Sequence, residues 1–287
     1  MVNGSMKTEH KDPVEDVVIE VQGGFLVVRR RVHGTKTIVM IHGLGESGLS
    51  FKEGWVGPFL TQHDVIVPDL MGYGRSSGAN DHDYCLDKQV QRLWKMVNHL
   101  GLERFFLVGH SMGGDIGTLM ARHDPDSRIL GFVNIEGNLT PHDIFISNQA
   151  EEAERRGGFQ SWFYDDFMQK RVLGEWGSRW ASCRRYYASL CFARPNAFRD
   201  NAVELVARNR PLPDRKASTT GVEFAALHIP KIFCWGSESL SKTTREFLQE
   251  SSIPNREFPD SFHWPMIDQA EHFYRLVERF VEETNSG

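Results

Sequence analysis

Two rhythms of apolar and polar positions alternate along this chain. Val17–Gln22 and Phe25–Val32 are rich in β-branched residues and are split by Gly23-Gly24, the pattern of a hairpin. Thr37–Ile41, Asp64–Pro68, Phe105–Val108 and Ile129–Ile135 are short apolar runs, as expected of strands covered on both faces. Between them, Val90, Leu93, Val97 and Leu100 recur at helical spacing within Tyr84–Leu100, and a second helix is predicted to end near His123. After Pro230 the alternation resumes, with Lys231–Trp235 as strand, Lys242–Gln249 as helix, Asn255–Phe258 as strand and Asp268–Glu283 as helix. The pattern predicts an α/β fold: a mostly parallel, twisted sheet of eight strands with helices on both faces.

From Gly137 to Gly221 the rhythm breaks. No strand-like run occurs there, and the stretch is crowded with arginines and with Trp162, Trp176, Trp180, Tyr186 and Tyr187. We read 17–137 and 221–287 as one α/β core, and 138–220 as a helical lid inserted over the carboxyl ends of the strands, where such sheets bind ligands. Met1–Met6 contains a second methionine after Gly-Ser and reads as a cloning remnant.

Composition narrows the partners. With 40% hydrophobic residues the chain has material for a large core, and a net charge of −5 gives no electrostatic reason to expect nucleic acid or an anionic membrane. No run approaches the roughly 20 apolar residues of a membrane span. Cys85, Cys183, Cys191 and Cys234 are scattered rather than paired, which favours reduced thiols and a cytoplasmic location. No His-Glu-x-x-His or clustered Cys/His spacing suggests a metal, and no cofactor is expected. A homodimer is left open.

The chemistry lies in Gly109-His110-Ser111-Met112-Gly113, a Gly-x-Ser-x-Gly between an apolar strand and a helix. A serine hydroxyl is a weak nucleophile, so it needs exposure, a base and donors for the oxyanion that forms. The glycines allow a strained turn that exposes Ser111. The backbone amide of Met112, at the start of the helix, is one expected oxyanion donor. Leu44, in the loop His42-Gly43-Leu44-Gly45, is expected to supply the second. The base is expected at His263, in the loop between the last strand and the last helix; His110 is read as structural, because neighbouring side chains on a tight turn diverge. His142 and His228 are weaker candidates.

The chain resembles the α/β-hydrolase superfamily from about Val17 to Val281. The resemblance rests on Ile41-His42-Gly43, on Pro68-Asp69-Leu70-Met71-Gly72-Tyr73-Gly74-Arg75-Ser76, on Gly109-His110-Ser111-Met112-Gly113-Gly114 and on Asp260–Asp268. It implies that Asp69 and Arg75 are structural. It also implies a third partner for the histidine, usually an aspartate shortly after the seventh strand, but that place holds Ser239, which could only tether the ring. Two carboxylates could take over. Glu238 is adjacent, though alternation around the turn directs it elsewhere. Glu136 closes the strand Ile129–Ile135, and certain lactone hydrolases and dehalogenases of the family resemble this in carrying a glutamate there; it is the preferred candidate. A carboxylate at that edge would be costly to bury unpaired.

These features point to a serine hydrolase cleaving a carboxylic ester or lactone with an apolar or aromatic body. Trp162, Trp176, Trp180 and Trp264 are the expected substrate-binding residues, whereas Arg155, Arg156, Arg184 and Arg185 read as a solvated helix face. Two alternatives stand beside this: hydrolysis of a carbon–carbon bond in a dienoic ring-cleavage product, and a small-molecule receptor built on a hydrolase fold.

Overall fold

A computed structural model describes residues 14–79, 83–213 and 216–284; Met1–Met6 lies outside them. Eight strands form one sheet in the order β1-β2-β4-β3-β5-β6-β7-β8. They are β1 Glu15–Val21, β2 Gly24–Arg31, β3 Thr37–Ile41, β4 Asp64–Pro68, β5 Phe105–His110, β6 Ile129–Ile135, β7 Lys231–Gly236 and β8 Asn255–Phe258. β1 and β2 pair antiparallel, as does β2 with β4, and every other pairing is parallel. The strand positions predicted from hydrophobic runs differ from these by at most a few terminal residues. β5 is buried along its whole length, as its unbroken run Phe105–Val108 requires, while β8 at the sheet edge buries only Phe258.

The helices are α1 Lys52–Val56, α2 Leu86–His99, α3 Met112–Arg122, α4 Phe145–Arg155, α5 Phe159–Ser161, α6 Ala181–Leu190, α7 Pro195–Arg208, α8 Thr219–Ala225, α9 Lys242–Glu250, α10 Pro265–Asp268 and α11 Ala270–Glu283. Gly48–Phe51 forms a 3₁₀ turn before α1, and Trp162–Trp176 is wound as a π-helix, rare at such length. The helix expected over Asp268–Glu283 is broken at Gln269, whose φ of −127° and ψ of 43° separate α10 from α11. Among the described residues, the segment between β6 and β7 holds helices and no strand. Residue 220, the end expected for the insertion, lies inside α8.

Strand order positions the site. From β3 the chain moves outward to β4, then returns to the other side of β3 as β5, and β6 to β8 follow in sequence. The direction of winding therefore reverses between β3 and β5, and the crevice beyond their carboxyl ends is where a parallel sheet leaves room for a ligand. β3 leads there into His42-Gly43-Leu44, and β5, ending at His110, leads into Ser111.

Candidate active site

Ser111 stands between β5 and α3 at φ 51° and ψ −120°, a backbone conformation that costs a non-glycine residue on the order of 1–3 kcal/mol. The turn is over-determined by its neighbours: the Ser111 amide donates to the Ile135 carbonyl at 2.8 Å, and its carbonyl accepts from the Gly114 amide at 2.7 Å. Both flanking glycines are needed for close approach. A Cβ on Gly109 would lie 2.3 Å from the Gly113 carbonyl oxygen, and one on Gly113 would lie 2.2 Å from that of Ile41. Met112 opens α3, where no earlier turn of helix offers its amide a carbonyl.

The loop after β3 is fixed by His42. Its Nε2 accepts from the Leu70 amide at 2.9 Å, so the ring proton is on Nδ1, which donates to the Gly43 carbonyl at 2.8 Å. Leu44 follows, and its carbonyl accepts from the buried Tyr186 hydroxyl at 3.0 Å, which ties this loop to α6. Asp69 accepts from Arg29, Gly48 and Arg75, and the Arg75 guanidinium pairs with Asp16; both residues brace the loop after β4.

Glu136 directly follows β6, at φ 46°, and is 4% exposed. Its Oε2 is 2.6 Å from His263 Nδ1. Its Oε1 accepts from the Gly236 amide at 2.7 Å and from the Ser239 hydroxyl. Ser239 thus bonds the carboxylate, not the ring it was expected to tether. Glu238 is exposed and accepts only a 3.3 Å bond from Ser237, so it does not reach His263. Burial of the His263 ring opposes its protonation, but the charge and hydrogen bond of Glu136 outweigh this and raise its pKa above that of an ordinary imidazole.

Sequence reasoning missed Glu46. This carboxylate is 1% exposed and accepts from the Trp264 indole at 2.9 Å and from the Gly43 amide at 3.2 Å; it also lies 2.8 Å from His110 Nδ1. Burial alone would push its pKa up, but His110, Ser50 and His42 pull it down to about 2. Neither the strand pattern nor the local motif marks Glu46, because His110 and Trp264 reach it from distant parts of the chain. His110 Nε2 is 2.8 Å from the His263 carbonyl oxygen and donates to it.

These groups surround a cavity of about 310 Å³. Ser111, Glu136, His263 and Leu44 line it, and so do Trp176 and Trp264. The expectation for Trp162 and Trp180 needs correcting: neither lines the cavity. Trp162 stacks on Phe167 and borders a separate shallow groove with Asn148 and Gln149, while Trp180 lies behind Phe262, stacked on it at 6.0 Å. Phe262, Tyr186 and Ile144 also line the cavity, though the sequence does not mark them as substrate-binding residues. Lysine and arginine are absent from the lining among the described residues. Arg155 and Arg156 pair with Glu152, Arg185 with Glu53, and Arg184 bonds the Gly177 carbonyl. The cavity wall also carries Asp143, which accepts from Thr140, Leu139 and Thr244 and whose pKa burial pushes up to about 6. His142 is exposed at the rim, and His228 lies outside the lining. The one group of His and carboxylate residues able to converge on a metal, among the described residues, is His63, Glu278 and Glu282, none of which lines the cavity. The four cysteines are free, and no described helix is long and apolar enough to cross a membrane.

A family model described as alpha/beta hydrolase fold matches residues 36–270. The chain is 25% identical over 266 residues to 2-hydroxymuconate semialdehyde hydrolase of Pseudomonas putida, covering 86% of this chain and 88% of that protein. It is 36% identical over 94 residues to the magnesium-chelatase 30 kDa subunit of Rhodobacter capsulatus, a match that spans 33% of each chain. A crystal structure of an N-acyl homoserine lactonase in complex with N-hexanoyl homoserine superposes with a TM-score of 0.73 at 18% identity, over 96% of this chain and 98% of that one.

Proposed function

The chain belongs to the alpha/beta hydrolase fold family, and we propose that it is a serine hydrolase of carboxylic esters or lactones, with Ser111 as nucleophile, His263 as base and Glu136 as the acid that orients it. The observation that carries this reading is the 2.6 Å contact between His263 Nδ1 and Glu136, made beside a serine strained on a strand-to-helix turn in the same cavity. With Nδ1–H held by the carboxylate, Nε2 is left unprotonated and can take the Ser111 proton. The oxygen attacks the carbonyl carbon, and the amides of Leu44 and Met112 receive the oxyanion. As the tetrahedral intermediate collapses, the C–O bond to the leaving alcohol breaks and His263 returns the proton to it. Water, deprotonated by His263, then cleaves the acyl-enzyme by the same sequence. Glu136 stabilises the imidazolium at each stage.

The helical segment between β6 and β7 acts in this scheme as a lid, with Trp176, Tyr186 and Phe262 shaping the acyl or alcohol pocket together with Trp264. The second reading, carbon–carbon bond hydrolysis of a dienoic acid, is favoured by the similarity to the Pseudomonas putida hydrolase. Against it stands the lining, which among the described residues has no lysine or arginine to pair with the substrate's carboxylate. Hydrolysis of p-nitrophenyl butyrate by wild type and by Ser111→Ala tests the proposal. It predicts turnover in the first and none above background in the second, and equal rates in both would overturn it.

A further inference from the structure

Glu46 is buried and charged, yet no step of the proposed reaction uses it. Burying an ionised carboxylate is costly unless donors surround it, and an apolar side chain would fill the space at no such cost. Its contacts come from three places. The Gly43 amide, a donor, belongs to the loop that carries Leu44; the Trp264 indole, a donor, belongs to the residue after His263; and His110, the residue before Ser111, brings its Nδ1 within 2.8 Å of the carboxylate. His110 extends the connection, since its Nε2 donates to the His263 carbonyl and its ring packs edge-on against the His263 ring at 4.7 Å.

Resting on the hydrolase reading above, we infer that Glu46 is a positioning residue that holds the oxyanion loop, the nucleophile turn and the base loop in register around the reacting carbonyl. Glutamine cannot replace it. An amide oxygen facing Trp264 turns the NH₂ toward the Gly43 N–H, and the reverse orientation turns it toward the Trp264 N–H. One donor pair then meets head-on in either case. Glu46 also faces His263 electrostatically, together with Glu136 at the end of β6 and Asp143 ahead of α4, and all three favour the imidazolium; the rings of His110 and Trp264 pack against it.

The test is Glu46→Gln, assayed for ester turnover across pH and for backbone amide exchange. Displacement of reacting groups by about an ångström costs up to about 100-fold in rate, so kcat is expected to fall about 10- to 100-fold with KM changed less than about threefold. The acid limb of kcat/KM is expected to move to lower pH, a shift that a purely structural residue would not cause. Amide exchange should quicken together in 42–46, 108–112 and 261–265. Trp264→Phe, which deletes one donor and leaves Glu46 in place, should loosen 42–46 as well and serves if Glu46→Gln does not fold. Unchanged kcat and an unmoved acid limb in folded Glu46→Gln overturn the inference, as does unchanged exchange of 42–46 in Trp264→Phe. If wild type shows no Ser111-dependent turnover, the hydrolase reading fails, and amide exchange alone decides whether the three loops are coupled through Glu46.

Discussion

Replacing Glu136 by glutamine perturbs one atom, and the structure says which. Oε1 accepts from both the Gly236 amide and the Ser239 hydroxyl, so the amide oxygen of the variant must take that position. The NH₂ is then directed at His263 Nδ1, where Oε2 had been 2.6 Å away. A donor facing Nδ1 makes it the acceptor and moves the ring proton to Nε2, the nitrogen that has to receive the Ser111 proton. The wrong tautomer in a serine-protease triad lowers kcat about 10⁴-fold, which corresponds to about 5.4 kcal/mol at the barrier. We expect a loss on the order of 10³- to 10⁴-fold in kcat for p-nitrophenyl butyrate, with KM and the melting temperature close to wild type. The residual activity should carry a signature in pH. Glu136 raises the pKa of His263, and only the neutral ring can act as base, so the wild-type acid limb lies above the range of an ordinary imidazole. Without the carboxylate that limb should move down. Turnover within about threefold of wild type, with an unshifted limb, would refute the assignment of Glu136.

Three further outcomes are expected. Ser239→Ala removes one donor from Glu136 Oε1 and leaves the Gly236 amide; a hydrogen bond to a charged group is worth about 1.5–3 kcal/mol, and with about half of that reaching the barrier kcat should fall by roughly three- to tenfold, as steady-state kinetics will report. Gly113→Ala places a Cβ 2.2 Å from the Ile41 carbonyl oxygen in packed backbone, a cost of about 3 kcal/mol that should lower the melting temperature on the order of 5 °C or more. In the cavity wall Asp143 and Glu238 have no lysine or arginine partner among the described residues. One such charge at roughly 7 Å and an effective dielectric of about 40 is worth about 1 kcal/mol. At pH 8, matched esters should therefore be cleaved some five- to tenfold faster when neutral than when they carry a carboxylate, and the gap should narrow as salt is added.

Features that depend on neighbours in sequence were legible before the structure. Ser111 and Met112 follow from a strand, a turn and a helix written consecutively, and Glu136 follows from closing a buried strand. The eight strands were readable because a buried parallel strand must be a short apolar run. Glu46 and Tyr186 are not readable, since Glu46 meets His110 of β5 and Trp264 of the loop after β8, and Tyr186 of α6 meets Leu44 of the loop after β3; no local pattern records such meetings. The tryptophans show the same limit. Composition announces an aromatic segment, but whether Trp162 or Trp176 faces the cavity depends on the winding of Trp162–Trp176 as a π-helix, which rotates its faces away from the spacing of an α-helix. In sequence Ser239 stands where the resemblance puts an aspartate and could only tether the ring; in three dimensions it donates to the carboxylate of Glu136.

The most direct test of the central claim is covalent. Incubation with a p-nitrophenyl alkylphosphonate should release one equivalent of p-nitrophenol and stop ester turnover, and mass spectrometry should place a single phosphonyl group on the peptide that contains Ser111. Ser111→Ala should take up none, and Glu136→Gln should react far more slowly than wild type. A phosphonyl group on another residue, or equal labelling of wild type and Ser111→Ala, would contradict the assignment of Ser111 as the nucleophile.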